Sequence, residues 1–270
     1  MQRRALLGSP DWLKSRKTLC HVTLDIGGKI EDAPPYCYKV DFAYRFPGGG
    51  VLNYGCVQEE MLFAIYPELL LSIMCCEALN HNEAILIEGV ERFSKYKGYS
   101  HEFEYDGDYQ EQGQIKNGIL ESKFIVIDAI NFLPQQKPRG LKNQWGLKSL
   151  WRETNKAFIG FSFVPSANET EKQKAQRKWQ NEKDNKGKKE QQQKQIEMNS
   201  KDQGIRLEQK VRDDSDQVRS GVLATGHWGC GAFNGNTFLK FIIQWIAASE
   251  AGVTEMRYSC MNNKGFILFQ

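Results

Sequence analysis

The chain has 270 residues, of which 40% are hydrophobic and 11% aromatic, so it is long and apolar enough to bury a core. Its net charge of +3 arises within residues 168–219, which hold 14 basic and 11 acidic residues, because the rest of the chain holds 22 of each. A folded part without net charge argues against a nucleic-acid-binding protein, so no direct nucleic-acid binding is expected.

Short apolar or β-branched runs alternate with segments of helical periodicity along the chain. The first kind predicts strands at 20–23, 38–43, 84–89, 124–129, 157–163, 222–225 and 256–260. The second kind predicts helices at 58–66, at 67–79, where Pro67 begins a new helix, and at 236–251. By itself, this alternation predicts a single α/β domain with a doubly wound parallel sheet between helical layers.

Residues 168–219 interrupt this alternation with Lys, Gln, Glu, Asn and Asp and only isolated apolar residues. Such a composition contributes little to a core, so we expect a surface insertion between two core strands. Lys, Gln and Glu favour helix, and the part from about 169 to 195 is predicted to be partly helical. An arm that grips nucleic acid or another polymer is the alternative interpretation.

The N-terminal sequence MQRRALLGSPDW lacks the apolar core of a signal peptide, and no apolar run approaches the roughly 20 residues that span a bilayer. We therefore expect a soluble intracellular protein, nuclear, cytoplasmic or both, without membrane contact. The seven cysteines lack CxxC pairs and metal-ligand spacing, which argues against a disulfide framework and a zinc site. Neither a metal nor a cofactor is predicted.

Three consecutive glycines at 48–50 are followed, after seven residues, by Gln58, Glu59 and Glu60. Glycines let a loop pass close to a sugar or a diphosphate, and carboxylates beside such a loop indicate glycosidic bond cleavage. Consecutive residues at a helix start point about 100° apart, so they do not face each other across a sugar as the two acids of ordinary glycosidases do. One carboxylate is therefore expected to make both proton transfers. Taken alone, the glycines would be read as a turn and the glutamates as a solvated helix start.

A second glycine-rich stretch, TGHWGCGAF at 225–233, precedes the predicted helix at 236–251. Backbone N–H groups and the dipole of a following helix favour an anion such as a diphosphate. Cys230 has two interpretations, a nucleophile and a small residue packed in a tight loop, of which the second is favoured. The stretch lacks GxGxxG spacing, which argues against a dinucleotide oxidoreductase.

With VDFAYRFP at 40–47, the GGG-x7-QEE stretch closely resembles the catalytic signature of the poly(ADP-ribose) glycohydrolase family, whose catalytic domain is an elaborated macrodomain. The resemblance implies a three-layer α/β/α macrodomain-like fold with a mixed central sheet. It also implies one catalytic domain over 1–270, with a polar insertion at about 168–219, and a minimal catalytic form compared with larger members. The likeness continues in the same order along the chain, at 9–31, 81–99, 127–132, 224–236 and 239–249.

The resemblance assigns catalytic roles residue by residue. Glu60 matches the family's acid/base glutamate, Glu59 its partner at the ribose hydroxyls, and Asp41 a required aspartate with a supporting role. Tyr44, His227 and Cys260 depart from the family pattern, which has Asn, Asn and Phe at these positions.

The implied substrate-binding residues cover the whole ADP-ribose unit. They are Ile30 and Glu31 at the adenine edge, Tyr99 stacked on the adenine, Tyr44, Gly48, Gly49, Gly50 and Gln58 around the ribose, and His227, Trp228, Gly229, Cys230, Gly231, Ala232 and Phe233 in the diphosphate loop.

The implied activity is hydrolysis of ribose–ribose O-glycosidic bonds in poly(ADP-ribose), mainly from the terminal unit, with release of ADP-ribose. The implied partners are the polymer and proteins that carry it, the implied setting is the DNA damage response, and a monomer is expected. A macrodomain that only binds ADP-ribose, a mono-ADP-ribosyl hydrolase and another kind of nucleotide-sugar enzyme are the alternatives. A pure binding module has no use for the residues at 58–60, which favours an enzyme.

Overall fold

The computed structural model describes residues 1–6, 8–133, 143–166, 221–263 and 265. The predicted insertion at 168–219, with its predicted helix at 169–195, lies outside the described residues. None of the helices in the described ranges is both long and apolar enough to cross a membrane.

The described residues form eleven strands, seven of which pair into one sheet. The sheet order is β1-β4-β9-β3-β10-β11-β2, and the remaining strands form the hairpins β5–β6 and β7–β8. In chain order the strands are β1 (Gln2–Ala5), β2 (His21–Asp25), β3 (Tyr38–Ala43), β4 (Glu83–Glu88), β5 (Ser94–Lys97), β6 (Glu104–Asp108), β7 (Ile115–Lys116), β8 (Ile119–Leu120), β9 (Lys123–Asp128), β10 (Val222–Thr225) and β11 (Glu255–Ser259).

Strand directions show that the sheet is mixed. Strand β4 runs antiparallel to both β1 and β9, whereas the pairs from β9 through β3, β10 and β11 to β2 are all parallel. The mixed sheet implied by the resemblance is therefore confirmed, and the fully parallel sheet expected from the alternation alone is wrong.

Helices cover both faces of the sheet. In β9, Ile125 and Ile127 belong to the core beneath the two long helices, whereas Phe124 and Val126 belong to the core beneath the first helix. Successive strand residues point to opposite faces, so each buried strand supplies both cores. The helices are α1 (Gln58–Ile65), α2 (Leu71–Cys75), α3 (Leu147–Phe161) and α4 (Thr237–Ala251). The three-layer α/β/α fold is thus confirmed.

The predicted strand at 157–163 is wrong, because these residues form the buried end of α3 and the turn after it. Glu153, Lys156 and Gly160 are all buried, and their spacing is that of a helix. A short apolar run alone does not distinguish a strand from the buried part of a helix. Gly160 lets the helix approach the sheet, because a Cβ there would lie 2.7 Å from Ile127 Cγ2.

The helix predicted at 67–79 is shorter than expected. A 3₁₀ turn over Pro67–Leu70 leads into α2, which ends at Cys75. The helix predicted at 236–251 is confirmed as α4, with Asn236 as its N-cap accepting from the Leu239 N–H at 3.0 Å.

The residues immediately before and after 167–220 lie close to each other. A Cβ on Gly221 would lie 3.0 Å from the carbonyl oxygen of Pro165, and the Thr254 N–H donates to the Gly221 carbonyl oxygen at 2.9 Å. Because one residue spans about 3.3 Å, a linker of about six residues is long enough to replace 168–219.

We expect the protein with this replacement to fold with an almost unchanged Tm, because the removed segment has too few apolar residues to stabilise a core. Circular dichroism during thermal unfolding would check this. Loss of the cooperative transition would show that 168–219 belongs to the core.

Candidate functional site

A cavity of about 590 Å³ opens at the carboxyl ends of three neighbouring parallel strands. Its wall includes Tyr44 directly after β3, Ala129 directly after β9, and His227 two residues after β10. Open α/β sheets bind their ligands at this edge, and the volume is typical of a small-molecule site. Two segments form much of the wall: the first loop (44–57) and the second loop (226–236).

Glu59 holds the start of the first loop. It is 2% exposed and accepts backbone N–H bonds from Tyr44 and Gly48, both at 2.7 Å. Gly48 itself does not line the cavity. Burial raises the pKa of Glu59 well above its usual value, and the charge of Asp41 raises it further. These hydrogen bonds fix the loop and occupy one acceptor position on each Glu59 oxygen.

Glu60 holds the rest of the first loop in the same way. It is 8% exposed, lines the cavity, and accepts backbone N–H bonds from Gly50 and Val57, both at 2.9 Å. Val57 is the N-cap of α1, and the first N–H groups of a helix have no partner within the helix. The loop and the helix start are therefore built around this side chain.

Glycine is required where the loop passes the two carboxylates. Gly49 has φ +49°, and a Cβ there would lie 2.5 Å from both Glu59 Oε2 and Glu60 Oε1. These two oxygens are consequently within about 5 Å of each other. A Cβ on Gly55 would lie 2.6 Å from Glu60 Oε1, so this glycine is equally restricted. The glycines thus permit close contact between backbone and carboxylates.

Gln58 joins the start of α1 to strand β3. Its side-chain oxygen accepts from the Phe42 N–H at 2.9 Å, and its amide donates to the Val40 carbonyl oxygen at 3.2 Å. The side chain also lines the cavity. Because β3 is a central strand, this pairing fixes Glu59 and Glu60 relative to the sheet.

Asp41 lies in β3 behind the cavity wall and is 1% exposed. Among the described residues, neither of its carboxylate oxygens has a hydrogen-bond partner. Burial raises the pKa of Asp41 to about 8, and the charge of Glu60 adds to this. Asp41 therefore keeps its proton at neutral pH, which lowers the total negative charge beside Glu60.

We expect Asp41→Asn to become more stable relative to the wild type as the pH rises from about 4 to 8. An unfolded aspartate has a pKa of about 3.9, so in this range the unfolded chain has lost a proton that the folded Asp41 still holds. The free energy of unfolding of the wild type then falls by up to about 1.4 kcal/mol per pH unit, and asparagine removes this contribution. Urea unfolding at several pH values would measure it, with exposed Asp11→Asn as the control. Parallel pH profiles for Asp41→Asn and wild type would contradict the prediction.

The second loop presents unused backbone donors to the cavity. Gly229 and Gly231 have positive φ, and in the described part of the chain the N–H groups of Gly229, Gly231 and Ala232 have no hydrogen-bond acceptor. All three residues line the cavity, as does Thr237 at the start of α4. Free N–H groups close to a helix start favour an anion.

A buried ion pair between the two long helices packs against the second loop. Lys240 of α4 pairs with Glu153 of α3, and its ammonium lies 4.2 Å from the centroid of the fully buried Trp228 ring. Burial lowers the pKa of Lys240. Trp228 Nε1 donates to the Ile127 carbonyl oxygen at 3.1 Å, and a Cβ on Gly229 would lie 2.8 Å from Lys240 Nζ. The loop conformation thus depends on buried contacts with both long helices and the sheet.

The structure brings the predicted aromatic residues to the same cavity. Tyr99 lines the cavity, and its pKa is raised by burial and then by the charge of Glu60. The Phe233 and Tyr44 rings meet edge to face with centroids 6.3 Å apart. Burial raises the pKa of Cys230 to about 12, so its sulfur is a neutral thiol, and this disfavours the nucleophile interpretation.

Ile30 and Glu31 do not line this cavity. Both are buried, and Glu31 accepts a hydrogen bond from the Tyr96 hydroxyl. Ile30 lies in a small apolar cluster with Val222 and Ala224 of β10. Their role at the adenine edge stays a prediction.

Comparison with known proteins decides the family. Residues 9–267 match the catalytic domain described as poly(ADP-ribose) glycohydrolase, macro domain fold. The chain belongs to the poly(ADP-ribose) glycohydrolase family. The family predicted from the sequence is thereby confirmed.

Curated relatives of this glycohydrolase family are larger than the chain. They include a probable poly(ADP-ribose) glycohydrolase 2 and a poly(ADP-ribose) glycohydrolase 1 of Arabidopsis thaliana, each 34% identical over 92% of this chain. A poly(ADP-ribose) glycohydrolase 1 of Caenorhabditis elegans is 32% identical over 82% of it. The matches cover 44%, 47% and 23% of these relatives, so the chain spans less than half of their length.

The departures from the glycohydrolase family pattern fall in different places. Tyr44 and His227 line the cavity, and burial lowers the pKa of His227. Cys260 is fully buried and does not line the cavity, whereas its half-exposed neighbour Met261 does.

Sequence reasoning also missed residues that line the cavity mainly through their position in the fold. Most are apolar residues beside a strand end or a helix start and carry no motif of their own. They are Phe42, Ala43, Val57, Ala129, Thr237 and Met261.

Proposed function

We propose that this chain hydrolyses the ribose–ribose O-glycosidic bonds of poly(ADP-ribose), mainly from the terminal unit, and releases ADP-ribose. One observation carries the proposal: Glu60 lines the same cavity as Gly229, Gly231 and Ala232, whose N–H groups have no acceptor among the described residues. A terminal unit of the polymer presents both an anionic diphosphate and a ribose whose glycosidic oxygen needs a proton. Membership of the family supports the same substrate.

Glu60 is the group that we assign to proton transfer. Each of its oxygens accepts one backbone N–H bond, and since a carboxylate oxygen can accept two, one position on each remains for a ligand. In the first step Glu60 donates a proton to the leaving ribose oxygen as the bond to the anomeric carbon breaks. In the second step a water oxygen bonds to that carbon and Glu60 takes the water's proton. The sum is hydrolysis, and Glu60 returns to its starting state.

Glu59 is assigned a positioning and ribose-binding role. Its carboxyl is almost completely buried, and burial favours its protonated form, which is a poor nucleophile. Its bonds to the Tyr44 and Gly48 N–H groups support the loop that carries Glu60's contacts. These features favour a single proton carrier over the two facing acids of ordinary glycosidases.

The second loop is assigned to the diphosphate. Free donors at Gly229, Gly231 and Ala232 and the start of α4 stabilise negative charge, and the fixed backbone needs little rearrangement to do so. Phe233 of this loop packs on Tyr44 of the first loop. This contact supports a role for both rings in holding the ribose between the two loops.

The experiment that tests the proposal is incubation of the protein with labelled poly(ADP-ribose), followed by separation of the products by size. We expect ADP-ribose as the main product. Absence of any product, with ADP-ribose still bound, would leave the binding-module alternative standing. Fragments of several units as the main product would contradict terminal-unit cleavage while retaining the activity.

A further inference from the structure

A second cavity, of about 630 Å³, adjoins the first one. The two cavities share Tyr44, Ala129 and Phe233 in their walls, so a molecule that leaves the first beside these residues enters the second. The rest of the second cavity's wall includes Arg45 and His81. The roles assigned to Glu59, Glu60 and the second loop do not involve these two residues.

Three aromatic rings lie in a row that starts at the shared wall: Phe233 and Tyr44 line both cavities, and Phe46 packs beside Tyr44 just outside both walls. We call Phe233, Tyr44 and Phe46 the aromatic strip. The Tyr44 ring lies 6.3 Å from that of Phe233 and 6.1 Å from that of Phe46, the latter with planes 32° apart. Tyr44 is 47% and Phe46 54% exposed. Exposed aromatic faces of this kind stack with nucleobases regardless of sequence.

The charge beside the strip is positive. Arg45 is exposed, its guanidinium lies 5.5 Å from the centroid of the Phe46 ring, and it has no ion pair with any described residue. The other charged residues of this wall, Asp128 and Arg152, pair with each other at 2.5 Å. The Arg45 carbonyl oxygen accepts from the Leu79 N–H at 2.6 Å, which fixes its backbone. An unpaired guanidinium beside an aromatic face suits a diphosphate attached to a base.

We propose that the second cavity binds the ADP-ribose unit next to the terminal one, with its adenine on the aromatic strip and its diphosphate at Arg45. This inference rests on the proposed function. The oxygen that Glu60 protonates belongs to the next unit's ribose, so that unit must continue outside the first cavity. The boundary formed by Tyr44 and Phe233 leads directly to unused aromatic and basic groups. The second cavity therefore distinguishes a polymer from free ADP-ribose.

The test is calorimetric binding of two probes, ADP-ribose and the dimer of ADP-ribose, to the Glu60→Gln protein, which is expected not to hydrolyse the dimer during the measurement. The dimer should bind more tightly than ADP-ribose. Phe46→Ala should weaken dimer binding by about tenfold and Arg45→Gln by about threefold, the latter effect shrinking with added salt. Neither change should alter ADP-ribose binding by more than about twofold.

Matched controls exist elsewhere on the chain. Phe93 is 53% exposed and is not part of the aromatic strip, and Arg16 is exposed with no ion pair among the described residues. Phe93→Ala and Arg16→Gln should leave both affinities unchanged. Equal effects of test and control variants would overturn the proposal.

The remaining outcomes separate this inference from the proposed function. Equal affinities for dimer and monomer, unaffected by Arg45→Gln and Phe46→Ala, would overturn the second subsite and leave the proposed function intact. Tighter binding of an ADP-ribosylated peptide than of the dimer would show that the cavity takes an acceptor protein instead. Failure to bind either probe would overturn both.

Discussion

Glu60→Gln is expected to lower the turnover of poly(ADP-ribose) by at least 10²- to 10⁴-fold, the range typical of a general acid or base. The loss should lie at the upper end because the same side chain is assigned to both proton transfers. Glutamine neither donates nor accepts that proton in water at neutral pH. The residues proposed to contact the adenine and the diphosphate do not include Glu60, so the affinity for ADP-ribose is expected to change little.

Glu60→Gln also removes one hydrogen bond to the backbone, so a control must separate this structural effect from the loss of catalysis. Glu60 accepts two backbone N–H bonds, and a glutamine oxygen can replace only one of its two oxygens. Glu68→Gln is the matched control, because Glu68 accepts the Glu91 N–H at 2.7 Å and lies outside the cavity. Single-turnover kinetics with ADP-ribose affinity and Tm measured in parallel would check the prediction. More than a tenth of the wild-type rate in Glu60→Gln would show that another group carries the proton.

Local sequence was sufficient to predict the part of the site built from short-range contacts. The glycines at 48–50 and the glutamates at 59 and 60 lie within thirteen residues, and all four backbone bonds to the carboxylates come from residues 44–57. Such contacts require only a permissive backbone and a helix start, and both are visible as residue types. The role of each carboxylate stays a prediction.

Long-range packing was not visible in the sequence. The Lys240–Glu153 pair beneath the second loop joins α3 to α4, and the last turn of α3 lies in the segment 157–163 that was expected to be a strand. Charged residues on an amphipathic helix usually face solvent, so their complete burial follows only from the position of the neighbouring helix. For the same reason the cavity position of Met261, after the last strand, needed the assembled sheet.

The second large effect concerns the substrate: a protein carrying poly(ADP-ribose) should lose its polymer as ADP-ribose, while a mono-ADP-ribosylated protein should keep its single unit. The leaving group in the polymer is a ribose hydroxyl oxygen, and Glu60 is assigned to protonate it. An amino-acid side chain places a different atom there, and a misplacement of about 1 Å is enough to lower the rate by about 10²-fold. A mono-ADP-ribosylated protein also lacks the next ADP-ribose unit, so it makes none of that unit's contacts.

Mass spectrometry of both proteins, treated side by side, would compare the ADP-ribose released per attached chain. The wild type should release it from the polymer at least about 10² times faster than from the single unit, and Glu60→Gln should release it from neither. Similar rates for both wild-type reactions would favour a mono-ADP-ribosyl hydrolase, because recognition would then end at the terminal ribose. No release from either would favour a binding module, for which the two buried carboxylates serve only to hold the glycine-rich loop. The expected discrimination rests on the leaving group at Glu60 and on the next unit's contacts, since the diphosphate donors proposed at Gly229, Gly231 and Ala232 would meet the same unit in both substrates.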